Sequence, residues 1–186
     1  AIVQNKSDKR AWLCAMSEGE LSLDKAMQVI DHLKEINTVL SVWIDVFDEN
    51  GTCYYTMEYI EGGSLMDYVA QTETCSLQEE EALEIIREVA SALSEMHRHR
   101  MNHLDVKPDN ILMSEEGKAV LIDFGAAHKF SENDDETSSL LAIKSGGFSP
   151  LEIGQIKDFS PSTDIYSLGA TLYWVLTGEQ PPREGL

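Results

Sequence analysis

His103-Leu104-Asp105-Val106-Lys107-Pro108-Asp109-Asn110, followed thirteen positions beyond Asn110 by Asp123-Phe124-Gly125, decides both the architecture and the chemistry of this chain. These residue types suit phosphoryl transfer, in which a protein mainly positions reactants and supplies charge. A carboxylate at Asp105 is expected to orient a hydroxyl and accept its proton. Lys107, two residues on, is expected to meet the transferring phosphate, and Asn110 to offer its amide oxygen to a metal ion. Pro108 stiffens the segment by fixing its own φ and restricting Lys107 before it. Asp123 follows an apolar strand pattern and precedes a Gly that lets the backbone turn, which suits a magnesium ligand.

Outward from this core, the chain before it reads as strands and one helix. Ala1 to Gln4 and Ala11 to Met16 are expected to be short strands joined by the polar turn Asn5 to Arg10. Ser22 and Asp24 are placed to cap a helix reaching about Ile36, with Leu23, Met27, Ile30 and Leu33 on one face. Val39 to Phe47 and Thr52 to Tyr59, joined by Asp48-Glu49-Asn50-Gly51, predict a hairpin. Gly62-Gly63 breaks the pattern and is read as a joint. Ser64 caps a short helix, Leu65 to Ala70. A long helix runs from Glu79 to about His99, with Leu83, Ile86, Ala90, Leu93 and Met96 as its apolar row and charges that suit the helix dipole.

Strands are expected at Ile111–Met113 and Ala119–Ile122 around a Glu116-Gly117 turn. Ser131 to Ser139 reads as an acidic loop. Ser162 is expected to cap a helix from Asp164 to about Leu176 that is apolar nearly all round and wants burial. Strands plus a helix, then mostly helices, predict an α+β fold of two unlike lobes, residues 1–61 and 62–186.

The 186 residues carry 42% hydrophobic side chains, enough to bury a core and to exclude wholesale disorder. The formal net charge of −19 excludes a cationic footprint for nucleic acid or anionic membrane. Its plain reading is a solubilising surface, and its sharper reading is a preference for basic partners or substrate peptides. Cys14, Cys53 and Cys75 are scattered, without the spacing of a disulfide framework or a zinc site, so a cytoplasmic setting is expected. There is no signal-peptide pattern, and the apolar run Ala170–Leu176 is too short to span a bilayer.

The pattern HxDxKPxN, a hairpin and then DFG resembles the protein kinase family, and Lys107 within the loop resembles its Ser/Thr class. The resemblance runs from about Val39 to Pro182, most of the chain. It implies a two-lobed fold, ATP and Mg2+ as cofactors, and transfer of the γ-phosphate to a Ser or Thr hydroxyl. Asp105 would be the base, Lys107 the γ-phosphate contact, and Asn110 and Asp123 the magnesium ligands. Thr56 to Leu65 resembles the hinge. On that match Met57 is the gatekeeper, Glu58 and Ile60 meet the adenine edge through their backbone, and Leu112 packs under the adenine ring. His103 braces the loop, Asp164 holds the loop backbone, and Gly147 to Glu152 resembles the end of the activation segment.

The chain departs from the family in several places. Leu104 stands where the family often has Arg, which implies little dependence on phosphorylation of the activation segment. The family's Gly-rich loop is missing, and so are its last helices, as in a domain truncated at both ends. Met16 or Cys14 stands in the place of the conserved strand lysine, and Ala26 in that of its Glu partner. Leu172, Tyr173, Trp174 and Leu176 would lose cover, inviting dimerisation through exposed apolar surface. Two further readings stay open: a pseudokinase acting as a binding or scaffolding module, and a small-molecule phosphotransferase of related fold.

Overall fold

The computed structural model describes residues 2–4, 11–15, 43–49, 52–129, 147–150 and 159–182, with side chains described within 59–127, 147–150 and 159–182. The expected helix from Asp24 to Ile36, Met16, Ala26, the loop Ser131 to Ser139 and Glu152 lie outside the described residues. The chain divides into two compact units, Ala1–Glu61 and Gly62–Leu186.

The first unit is a four-stranded antiparallel sheet in the order β1-β2-β4-β3. Its strands are β1 (Ile2–Gln4), β2 (Ala11–Ala15), β3 (Trp43–Glu49) and β4 (Thr52–Glu58). The two expected hairpins form: Val3 lies opposite Leu13, and Val46 opposite Tyr55. β-Branched and aromatic residues fit the pleated surface of such strands. The ladder between β3 and β4 shifts register between Trp43 and Asp45.

The second unit begins where a break was expected. Gly62–Ser64 is instead a strand, β5, paired antiparallel with β7 (Ile111–Ser114), which pairs in turn with β8 (Ala119–Leu121). The first of the two glycines permits this pairing. A Cβ on Gly62, whose φ is +144°, would lie 1.8 Å from the carbonyl oxygen of Met113, so only Gly allows the backbones to meet there.

Helix α1 (Leu65–Ala70) starts on a reciprocal capping box. Asp67 N–H donates to Ser64 Oγ at 3.0 Å, and Ser64 N–H donates to Asp67 Oδ2 at 3.2 Å. Helix α2 (Glu79–Arg98) carries three glutamates in its first turn and His97 and Arg98 in its last. Its buried row is Ala82, Ile85, Val89, Ala92, Leu93 and Met96, which keeps the expected Leu93 and Met96 but lies one step round from the expected Leu83, Ile86 and Ala90. Both rows are apolar, and the neighbouring segments Pro161–Thr177, Met101–Asn102 and β8 decide which is covered.

Helix α3 (Pro161–Thr177) follows an N-cap at Ser160 rather than Ser162. Pro161 occupies the first turn, where its fixed φ suits the helix and its missing N–H costs nothing. Two short strands, β6 (Met101–Asn102) and β9 (His128–Lys129), form a separate antiparallel pair. Leu65, Val69, Val89, Leu93, Met96, Ile111, Leu121 and Val175 are fully buried and form the core under the loop from Asn102 to Asn110. Each such side chain contributes about 1.5–3 kcal/mol of transfer free energy. Trp174, expected to lose cover, is buried, whereas Ile165 and Leu176 are exposed. No helix among the described residues is long and apolar enough to cross a membrane.

Candidate functional site

β6 delivers the chain into the loop His103–Asn110, and β7 takes it away, so both ends of the loop are anchored in short ladders. Asp105 is only 5% exposed. Its Oδ2 accepts from Lys107 Nζ at 2.7 Å and from Asn110 Nδ2 at 2.8 Å. Two of the expected residues thus converge on one carboxylate oxygen of a third. Bonds of this charge-assisted kind are short and strong, and they fix the orientation of the carboxylate. The turn Pro108–Asn110 is one 3-10 turn, closed by Asn110 N–H donating to Lys107 C=O at 3.0 Å. It folds Asn110 back so that Nδ2 also donates to the Asp105 carbonyl at 2.8 Å.

The orientation of the Asn110 amide follows from its partners. Both are pure acceptors, so the NH2 group faces them and Oδ1 faces away. Oδ1 has no hydrogen-bond partner among the described residues. It is therefore available as a neutral oxygen ligand. Asp123, on the other side, is exposed and sits at φ 62°, ψ 74°, a left-handed conformation that costs a non-glycine residue about 1–3 kcal/mol. Its Oδ1 accepts from Gly125 N–H at 3.3 Å, and a Cβ on residue 125 would lie 3.2 Å from that oxygen, so Gly125 leaves the carboxylate room.

One carboxylate and one amide oxygen fit Mg2+, which commonly takes one or two carboxylates and completes its shell with water and substrate phosphates. No group of three or more His, Cys, Asp or Glu that could hold a metal ion occurs among the described residues. The two motifs are joined through backbone: Ile122 N–H donates to the Asn110 carbonyl at 2.9 Å.

His103 is fully buried and makes a second junction. Its Nε2 lies 3.0 Å from the Ile122 carbonyl, and its Nδ1 accepts from Asp105 N–H at 3.3 Å. A carbonyl can only accept and an amide N–H can only donate, so the ring is neutral with its proton on Nε2. Phe124 meets the ring edge-on at 5.1 Å between centroids. Burial disfavours the imidazolium and lowers the pKa below the ordinary 6.5, outweighing the pull of Asp164, Asp105 and Asp123 toward the charged form.

At acidic pH the unfolded chain therefore binds a proton that the folded chain refuses. The stability linked to His103 is complete above pH 6.5 and is lost as pH falls below it, at up to about 1.4 kcal/mol per pH unit. Urea unfolding at pH 7.5 and 5.5 is expected to show a larger acid loss in the unsubstituted protein than in His103→Phe. Equal losses in the two would contradict a neutral buried imidazole.

The loop backbone is held from α3. Asp164 is fully buried, and its carboxylate accepts from His103 N–H at 2.9 Å and from Leu104 N–H at 2.8 Å. Leu104 itself has φ +64°. A left-handed residue bearing a β-carbon costs roughly 1–2 kcal/mol, and the carboxylate offsets that cost. Leu104 is also buried, so the position next to Asp105 offers no surface cation. Asp164 has a third partner that the sequence did not disclose: His97 Nε2 at 2.8 Å. The only sequence signal was a basic residue in the last turn of a helix, and that signal has an ordinary explanation in the helix dipole.

The remaining expected residues lie elsewhere in the chain. Met57 and Glu58 are the last two residues of β4, with Met57 opposite both Trp12 and Trp43 and Glu58 opposite Ala11; their side chains lie outside the described residues. Ile60 is half-buried two residues beyond that strand, and Leu112 is half-buried in β7. Of the Gly147 to Glu152 segment, Gly147 to Pro150 are buried.

A family model described as the protein kinase domain matches residues 14–185. A probable serine/threonine-protein kinase, zyg-1 of Caenorhabditis elegans, is 34% identical over 164 residues, which are 86% of this chain and 22% of that protein. A probable serine/threonine-protein kinase, MARK-C of Dictyostelium discoideum, is 34% identical over 158 residues, 83% of this chain and 19% of its own length. The calcium/calmodulin-dependent protein kinase type 1 of Caenorhabditis elegans is 31% identical over 170 residues, 90% of this chain and 47% of that protein. The chain thus spans between about a fifth and a half of the length of these relatives.

Proposed function

The chain belongs to the protein kinase family and has a kinase-like α+β fold, and from that premise we propose that its loop residues transfer the γ-phosphate of ATP to a Ser or Thr hydroxyl of a protein. The observation that carries the proposal is the convergence of Lys107 Nζ and Asn110 Nδ2 on Asp105 Oδ2, at 2.7 and 2.8 Å. A carboxylate so fixed orients the substrate hydroxyl and takes its proton as the oxygen bonds to the γ-phosphorus and the bond from that phosphorus to the bridging oxygen breaks, with ADP as the leaving group. Lys107, already beside that carboxylate, sets its ammonium against the phosphoryl oxygens. Asn110 Oδ1 and the Asp123 carboxylate are the residues assigned to Mg2+. Bound Mg2+ supplies positive charge that neutralises the phosphate oxygens in the transition state. The adenine contacts assigned to Met57, Glu58, Ile60 and Leu112 rest on the resemblance of their segments to the family. The net charge of −19 supports a basic protein substrate.

The direct test is transfer from γ-labelled ATP, with magnesium, to a basic protein by the full-length protein. Asp123→Ala is expected to lower the rate about a hundred- to thousandfold, as for loss of one preorganised charge contact. Transfer that persists in Asp123→Ala would remove Asp123 from the metal site. No transfer by the unsubstituted protein would shift the reading to a binding or scaffolding module.

A further inference from the structure

We propose that Asn102 is a polar wedge in the β6–β9 pair, which sets the strand after Asp123-Phe124-Gly125 to separate from the loop strand and re-form without the core unfolding. Asn102 is wholly buried, yet neither its Nδ2 nor its Oδ1 has a hydrogen-bond partner among the described residues. No other fully buried side-chain nitrogen or oxygen among those residues is left so. Its neighbours in the loop are all bonded: His103 to the Ile122 carbonyl, and Asn110 to Asp105. A carboxamide offers two donors and an acceptor oxygen with two lone pairs. Burying it without partners costs free energy that contact with water returns.

The place of Asn102 decides which motion returns it to water. It is the second residue of the two-residue strand β6, directly opposite His128 of β9. The ladder has two rungs, Met101 with Lys129 and Asn102 with His128, and it joins no other sheet. A two-stranded pair is marginal by itself. β6 also packs on α2 and α3, and the common core holds both helices by their buried residues. β9 is therefore the neighbour that leaves at least cost. Residues directly opposite one another in an antiparallel pair are close neighbours, so the departure of β9 uncovers Asn102. The paired state carries the penalty of the unbonded amide and the separated state does not, which shifts the equilibrium toward separation. The opening has a fixed start. Ile122 N–H is bonded to the Asn110 carbonyl and Ala127 N–H to the Phe124 carbonyl, so the chain stays held up to Ala127.

Amide hydrogen exchange of the full-length protein tests the wedge independently of phosphate transfer. In the unsubstituted protein the β6 and β9 amides are expected to exchange through an opening that low urea does not promote. The amides of Val89 and Leu93 in α2 are expected to need unfolding of the core, which urea does promote. Asn102→Leu keeps the branched shape of the side chain and removes its polar atoms. Asn102→Val does the same with less volume, which guards against crowding. Each is expected to slow exchange in β6 and β9 by about five- to a hundredfold, the range set by one unbonded buried group. Slower exchange in either apolar variant supports the wedge. Exchange that is unchanged or faster in both overturns it, because the amide then costs the paired state nothing. It is equally overturned if the β6 and β9 amides of the unsubstituted protein exchange only with those of Val89 and Leu93, because the pair then has no opening of its own.

Discussion

Asp105→Asn is expected to lower kcat for phosphate transfer by about a hundred- to ten-thousandfold, the range spanned by loss of a positioned general base. The substitution keeps the shape of the side chain. An Asn carbonyl oxygen in the place of Oδ2 still accepts from Lys107 Nζ and Asn110 Nδ2, now 2.7 and 2.8 Å from the carboxylate. What disappears is the negative charge and with it the capacity to take a proton from the substrate hydroxyl. KM for ATP is expected to change little, because the residues assigned to metal and nucleotide remain. Folding stability is expected to stay close to that of the unsubstituted protein. Steady-state kinetics beside a urea titration separates the two effects. A kcat within about threefold of the unsubstituted value, in a protein that transfers phosphate, would mean that Asp105 is not the base.

The second large effect is on stability. Asp164→Ala removes an acceptor shared by His103 N–H, Leu104 N–H and His97 Nε2. Two backbone donors are left buried without a partner, at about 1–3 kcal/mol each, and the left-handed backbone of Leu104 loses its support. The expected loss is about 3–5 kcal/mol, a large part of the stability of an ordinary domain. Asp164→Asn keeps one carbonyl acceptor but turns an NH2 group toward the remaining donors, so its loss is expected to be intermediate. Urea unfolding of the three proteins checks the order. A midpoint for Asp164→Ala equal to that of the unsubstituted protein would show that the loop does not depend on this carboxylate. Activity is expected to fall with stability here, in contrast to Asp105→Asn, where it falls alone.

Much of the fold and of the site was legible in the residues themselves. The strand pairs of the first unit follow from β-branched runs separated by polar turns. Helix α1 and its cap follow from Ser64 and the apolar residues after it. The loop residues Asp105, Lys107 and Asn110 are separated by two and three positions, so a single stiff turn around Pro108 is enough to bring them together. Such features depend on contacts between near neighbours along the chain, and residue type and spacing determine those.

Other features depended on partners distant in sequence. Gly62-Gly63 read as a break because glycine weakens a strand, yet β7 approaches so closely that only glycine fits at residue 62. The apolar rows of α2 were equivalent until α3, β6 and β8 covered one of them. The N-cap of α3 moved to Ser160 because Pro161 fits the first turn. His97 looked like a charge placed for the helix dipole, and only the arrival of Asp164, 67 residues later, gives it a partner. The local elements and the convergence of the loop residues were therefore readable from the order of residues, since side-chain type and short-range sterics set them. Which face is buried, which histidine is bonded and which carboxylate holds the loop came from long-range packing, because each needs two segments brought together by the burial of the common core.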